Sequence, residues 1–218
     1  MSSQLARAVE VMDRLRAPGG CAWDAEQTHV SLTRYLLEET YEVLEAIEAG
    51  PQVDYALLRE ELGDLLLQVL FHARIAAERP DGFDIEDVAG DLADKLVRRH
   101  PHVFETVSDA SAADLNETWE RNKITEKGRT SATDGVPTAQ PALALAAKLI
   151  SRANRAELSA MISGELGSEP PKSRDHQFGE RLFELVREAV AAGVDPEGAL
   201  RRTTLAYRAA IHAAERRS

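Results

Sequence analysis

Glu39 and Glu42 are three residues apart, and so are Glu61 and Asp64. On an α-helix that spacing puts each pair on one face. The context is helical: Leu32, Leu36, Glu39, Val43 and Ile47 fall on one stripe of "LTRYLLEETYEVLEAI". The acids therefore interrupt the row that should meet the core. A Glu-rich helix ordinarily presents a solvated face. Here two i, i+3 acid pairs occur on consecutive helices. Carboxylates gathered in one place raise one another's pKa values unless a cation offsets them. Oxygen-only donors suit Mg²⁺ or Mn²⁺, whereas zinc calls for His or Cys, which this set lacks. The pattern alone leaves a metal site and a solvated face both open.

The elements that position these acids are readable from breakers and caps. Residues 4–16 form an amphipathic helix with Leu5, Val9, Met12 and Leu15 inward, broken by Pro18, Gly19 and Gly20. A long helix is expected over about 31–49, ending at Gly50-Pro51, and a second over about 55–78. The short connection makes them antiparallel neighbours. Glu42 lies eight residues before Gly50 and Glu61 eleven after it. At about 1.5 Å per residue they end at similar heights. Gly63, between the second pair, is expected to permit close helix approach.

Further helices are expected from Asp84, as N-cap, to the residue before Pro101. Others follow over about 112–127, 142–162, 178–192 and 196–217. Residues 128–141, "GRTSATDGVPTAQP", read as a linker. This divides the chain into 1–127, the linker, and 142–218.

Lys95 and Arg99 are four apart on one helix face, as are Trp119 and Lys123. Such cations could hold an anion bridging the metal, and an indole could stack on a base. Taken singly, helix-end cations often only complement the dipole, and a Trp is usually core. The six histidines are scattered, none pairing with Cys or an acid at ligand spacing, and "HPH" at 100–102 reads as a helix cap. No Gly-rich phosphate loop or G-x-S-x-G elbow is present.

Composition narrows the classes. The 218 residues are 44% hydrophobic and only 5% aromatic, with long β-branched runs absent, which favours an all-α protein. The net charge of −11 argues against general nucleic-acid binding. Cys21 is the only cysteine, so no internal disulfide or cysteine-based zinc site is expected. The N-terminus lacks a signal-peptide run, and no stretch of about 18 apolar residues occurs. The expected compartment is the cytoplasm, with no membrane association.

Residues 62–99 align loosely with 178–210, placing Gly63-Asp64 over Gly179-Glu180, Lys95 over Ala206 and Arg99 over Ala210. The second copy has no "EETYE". Apart from Glu180, it has lost the acids together with the cations, as expected if both serve one ligand.

The segments "EETYE" (38–42) and "ELGD" (61–64) resemble the EExxE…ExxD signature of the MazG nucleoside triphosphate pyrophosphohydrolases. "GCAWDAEQTHVSL", "DKLVRRHPHVF" and "WERNK" are similar to further MazG segments. The likeness covers about 5–127, and "GVDPEGALRRTTLAYR" resembles the second domain of two-domain members. It implies an all-α antiparallel helical bundle completed by homodimerisation. It also implies Mg²⁺-dependent hydrolysis of a nucleoside triphosphate to monophosphate and pyrophosphate.

By the same resemblance Glu39, Glu42, Glu61 and Asp64 are the metal ligands. Lys95, Arg99, Lys123 and Trp119 contact the substrate, and Trp23 helps form the nucleoside end. Glu38, Glu42 and Lys95 are the candidate catalytic groups, Glu38 as water-activating base or support to the ligands. The C-terminal copy is expected to be a degenerate, non-catalytic MazG-like region. Two alternatives remain: a dUTP- or dCTP-specific pyrophosphatase, whose family shares the acid motif, and a non-catalytic nucleotide-binding helical dimer.

Overall fold

A computed structural model describes residues 3–48, 50, 52–104, 131–159, 161–162 and 173–217. It divides into two compact units, 1–115 and 116–218. Among the described residues every regular element is helical.

The first unit contains α1 (Gln4–Arg16), α2 (Ala22–Glu26), α3 (Thr33–Glu48), α4 (Tyr55–Ala76), α5 (Ile85–Arg99) and α6 (Pro101–Phe104). Local chemistry sets the starts. The Ser3 hydroxyl accepts from the Ala6 amide at 3.1 Å, and Asp54 accepts from Ala56 and Leu57 at 3.0 and 3.2 Å. Asp84 caps α5 as expected, and Asp87 returns a bond to the Asp84 amide, closing a capping box. His100 is the C-cap of α5, its Nδ1 lying 2.6 Å from the Leu96 carbonyl oxygen.

The core of this unit is small: Met12, Leu32, Leu70 and Phe71, with Val9, Tyr35 and Leu67 packed against it. α4 is the central element, in contact with α1, α3 and α5. The inward rows are shorter than their periodicity suggested. Leu5 is 57% exposed and Ile47 43% exposed, while Ala46 is fully buried on α3. Both displaced residues sit near a helix end, and on α3 the neighbouring Ala46 takes the buried position instead.

The second unit contains α7 (Ala142–Arg155), α8 (Arg174–Ala191) and α9 (Pro196–Glu215), which pack on one another around Ile150 and Val186. The helix expected over 142–162 stops at Arg155. Glu157 has φ +56°, and the Leu158 amide bonds back to the Ala153 carbonyl at 3.0 Å, a Schellman closure without glycine. α8 ends the same way with Gly193 at φ +71°, the Val194 amide reaching the Ala189 carbonyl. The helix expected over 112–127 lies outside the described residues. No described helix is long and apolar enough to cross a membrane.

Candidate metal centre

The four acids converge at the seam of α3 and α4. One carboxylate oxygen each from Glu39, Glu61 and Asp64 lie within 4.8 Å of one another. Glu42 lies near enough for its charge to act on both Glu39 and Glu61. Residues rising along α3 meet residues falling along α4, so the helices are antiparallel, as the short connection required. Gly63 does not act as expected. A Cβ there would meet nothing within 4 Å, and the glycine lines a cleft with α1.

The electrostatics are those of an uncompensated acid cluster. Glu39 is half-buried, and its pKa is pushed up from 4.5 to about 7. Desolvation is the main cause, followed by the hydrogen bond and charge of Glu42, then the charges of Asp64 and Glu38. Glu61 is raised as well, by desolvation and then by Glu42, Asp64 and Glu60. Every charge named here is negative. A divalent cation is what such a set lacks, and the donors are all oxygen, which suits Mg²⁺ or Mn²⁺.

The other sequence-derived residues are placed differently. Lys95 is half-buried on α5, with no ion pair among the described residues. Arg99 closes α5 and is buried. Glu38 is exposed and acts on Glu39 through its charge. Trp119 and Lys123 lie outside the described residues.

Trp23 sits on α2, a helix hidden in what read as a Pro/Gly-broken loop. Its ring stands edge-on to Tyr35 at 5.9 Å and to Phe71 at 6.3 Å, yet the residue stays 49% exposed. Arg16 holds that segment in place. Its guanidinium bonds both carboxylate oxygens of Glu78, at 3.0 and 3.1 Å, and the carbonyls of Asp24 and Gln27.

Two residues escaped the sequence reading. Gln68 and His72 continue the row of Glu61 and Asp64 down α4 at helical steps, a signal legible in "ELGDLLLQVLFHA". Gln68 is 4% exposed, and its Oε1 has no hydrogen-bond partner. His72 meets His29 of the preceding loop, Nδ1 to Nδ1 at 2.8 Å. Histidines also pair with acids at helical spacing, contrary to expectation: His176 with Glu180 at 3.3 Å and His212 with Glu215 at 3.2 Å. Both are exposed surface pairs far in sequence from the acid cluster.

Comparison with known proteins bears on this geometry directly. Residues 27–104 match the model of the MazG nucleotide pyrophosphohydrolase domain. A Thermotoga maritima protein called nucleoside triphosphate pyrophosphohydrolase/pyrophosphatase MazG is 40% identical over 210 residues, 90% of this chain and 79% of that protein. The chain belongs to the MazG nucleotide pyrophosphohydrolase family. A nucleoside triphosphate pyrophosphohydrolase of Mycobacterium tuberculosis is 46% identical over 98% of this chain, which spans 58% of that protein's length. An uncharacterized protein of Streptomyces cacaoi is 51% identical over 98% of this chain and 83% of its own. MazG proteins are hydrolases acting on acid anhydrides. The matched MazG segment holds all four clustered acids with Lys95 and Arg99, and it leaves Trp23, Trp119 and Lys123 outside.

Proposed function

We propose that the protein hydrolyses ribo- or deoxyribonucleoside triphosphates at the α-phosphorus, giving the monophosphate and pyrophosphate, and so clears unwanted nucleotides from the cytoplasmic pool. The observation that carries this reading is the convergence of one carboxylate oxygen each from Glu39, Glu61 and Asp64 within 4.8 Å, with the Glu42 charge acting on two of them. These four would hold Mg²⁺, or Mn²⁺ in its place. The ion would supply Lewis-acid neutralisation of phosphate charge and activation of water.

The chain's own groups do the rest. Glu38 borders the cluster, exposed to solvent, where it can take the proton of the attacking water. Glu42, beside Glu39 and Glu61, would complete the set of oxygen donors. Lys95, Arg99 and Lys123 would offset charge growing on the leaving pyrophosphate. Trp23 and Trp119 would bracket the nucleoside by stacking.

The active form in this reading is a homodimer. Leu62, Leu66 and Val69 on α4, with Leu5 and Val11 on α1, are exposed apolar residues of the unit that carries the acids. The region 142–218 is a second MazG-like copy without the acid set, and is non-catalytic.

The test is pyrophosphate release from a panel of normal, deoxy and oxidised triphosphates, with Mg²⁺ and with chelator. Mg²⁺-dependent release across several bases supports the reading. Release from dUTP or dCTP alone would replace it with the specialised pyrophosphatase, and Mg²⁺ binding without turnover would replace it with a nucleotide-binding dimer.

A further inference from the structure

The second unit holds a cavity of about 340 Å³ that shares no residue with the acid cluster. It opens between α7, α8 and the turn at Ser131–Thr133, with Ile150, Leu158, Ile162 and Phe183 as apolar wall. Arg152 lines it from α7 and is only 8% exposed. Its NH1 donates to the carbonyls of Ala132 and Asp134 at 3.3 and 3.4 Å, both longer than a good hydrogen bond. Its Nε is buried with no partner at all.

No carboxylate pairs with Arg152 among the described residues, and no residue lining the cavity is Asp or Glu. A guanidinium stays charged at any working pH. Burying a guanidinium without a counter-charge is strongly unfavourable, and among the described residues Arg152 meets only the dipoles of two distant carbonyls, which offset that in part. Arg187 also lines the cavity, its guanidinium 6.0 Å from the Phe183 ring centroid.

We propose that this cavity is a binding site for a small organic anion. One carboxylate, sulfonate or phosphate head pairs with Arg152, and a compact apolar or aromatic body packs against Ile150, Leu158 and Phe183. The volume equals roughly eleven water-sized groups. One buried guanidinium, Arg152, with Arg187 also in the lining, matches a small anionic head.

The full-length protein is titrated with anilinonaphthalene sulfonate, followed by fluorescence, with benzoate as competitor. The expected result is saturable binding that benzoate displaces, weakened tenfold or more in Arg152→Met and partly kept in Arg152→Lys. Thermal unfolding of Arg152→Met should be unchanged or raised, since an unpaired buried charge is gone. A second variant, Leu158→Glu, places a carboxylate at the cavity wall from a residue that is itself 36% exposed, and should abolish the same binding. Equal affinity in the wild type and either Arg152→Met or Leu158→Glu overturns the proposal, as does the absence of benzoate-displaceable binding in the wild type.

Discussion

His29 and His72 face each other across the first unit, Nδ1 to Nδ1 at 2.8 Å with ring planes within 1° of parallel. At that distance one nitrogen must donate and the other accept. A doubly charged pair would set two N–H groups against each other.

Burial and the neighbouring His29 charge both lower the His72 pKa below its ordinary 6.5. The unfolded chain therefore binds a proton more readily than the folded one. The His72 contribution to stability should be level above about pH 6.5 and fall as pH drops below it, until the folded His72 itself protonates. Thermal unfolding at a series of pH values checks this. His72→Gln should flatten that part of the profile; an unchanged slope would remove the pair as its cause.

Glu39 gives a slope of the opposite sign. Its folded pKa is raised from 4.5 to about 7. In metal-free protein the fold holds a proton that the unfolded chain has released, so stability falls as pH rises through that window. On the proposed metal site, Mg²⁺ would replace the proton as counter-charge. Its stabilising effect should be larger at pH 8 than at pH 5.5, and Glu39→Gln should show little of either effect. Calorimetry with and without Mg²⁺ measures both.

Asp64→Asn and Glu42→Gln keep the shape of the side chain and remove a charge. Metal-assisted charge stabilisation is worth several kcal/mol, so pyrophosphate release should drop by roughly 100-fold or more. Far-UV circular dichroism should be unchanged, because neither residue is part of the apolar core. Full activity in either variant would refute the metal assignment.

Arg16→Met tests the support of the Trp23 segment. It removes the bidentate pair with Glu78 and the bonds to the Asp24 and Gln27 carbonyls. A loss of about 2–3 kcal/mol is expected for hydrogen bonds of a charged group. Part of it should disappear at low pH. Arg16 depresses the Glu78 pKa, so that contribution is present above the ordinary carboxylate pKa and is lost as pH falls through the lowered one. Denaturant unfolding at two pH values separates the parts, and Trp23 fluorescence should report greater exposure.

Much of this was written locally. The caps Asp54, Asp84 and Asp195, the turn between α3 and α4, and the i, i+3 acid pairs depend on neighbours within a few residues. A chain must satisfy such rules wherever it folds, so helix starts and the antiparallel seam could be read directly. Helix rise and a short connection placed Glu42 and Glu61 at similar heights, while the pattern left a solvated face open until packing brought Glu39, Glu61 and Asp64 together.

Other features depended on contacts between residues far apart in the chain, and only tertiary structure decided them. Arg16 and Glu78 are 62 residues apart, and no local pattern announces that α2 forms where Arg16 gathers the Asp24 and Gln27 carbonyls. Leu5 and Ile47 have core periodicity yet stay exposed, while Ala46 next to Ile47 is buried. Gly63 lines a cleft with α1, because the face each helix offers its neighbours is set by packing and not by sequence spacing. The pKa of Glu39 belongs to the same class: the sequence determined that acids would gather, and burial at the seam decided how strongly they resist losing their protons.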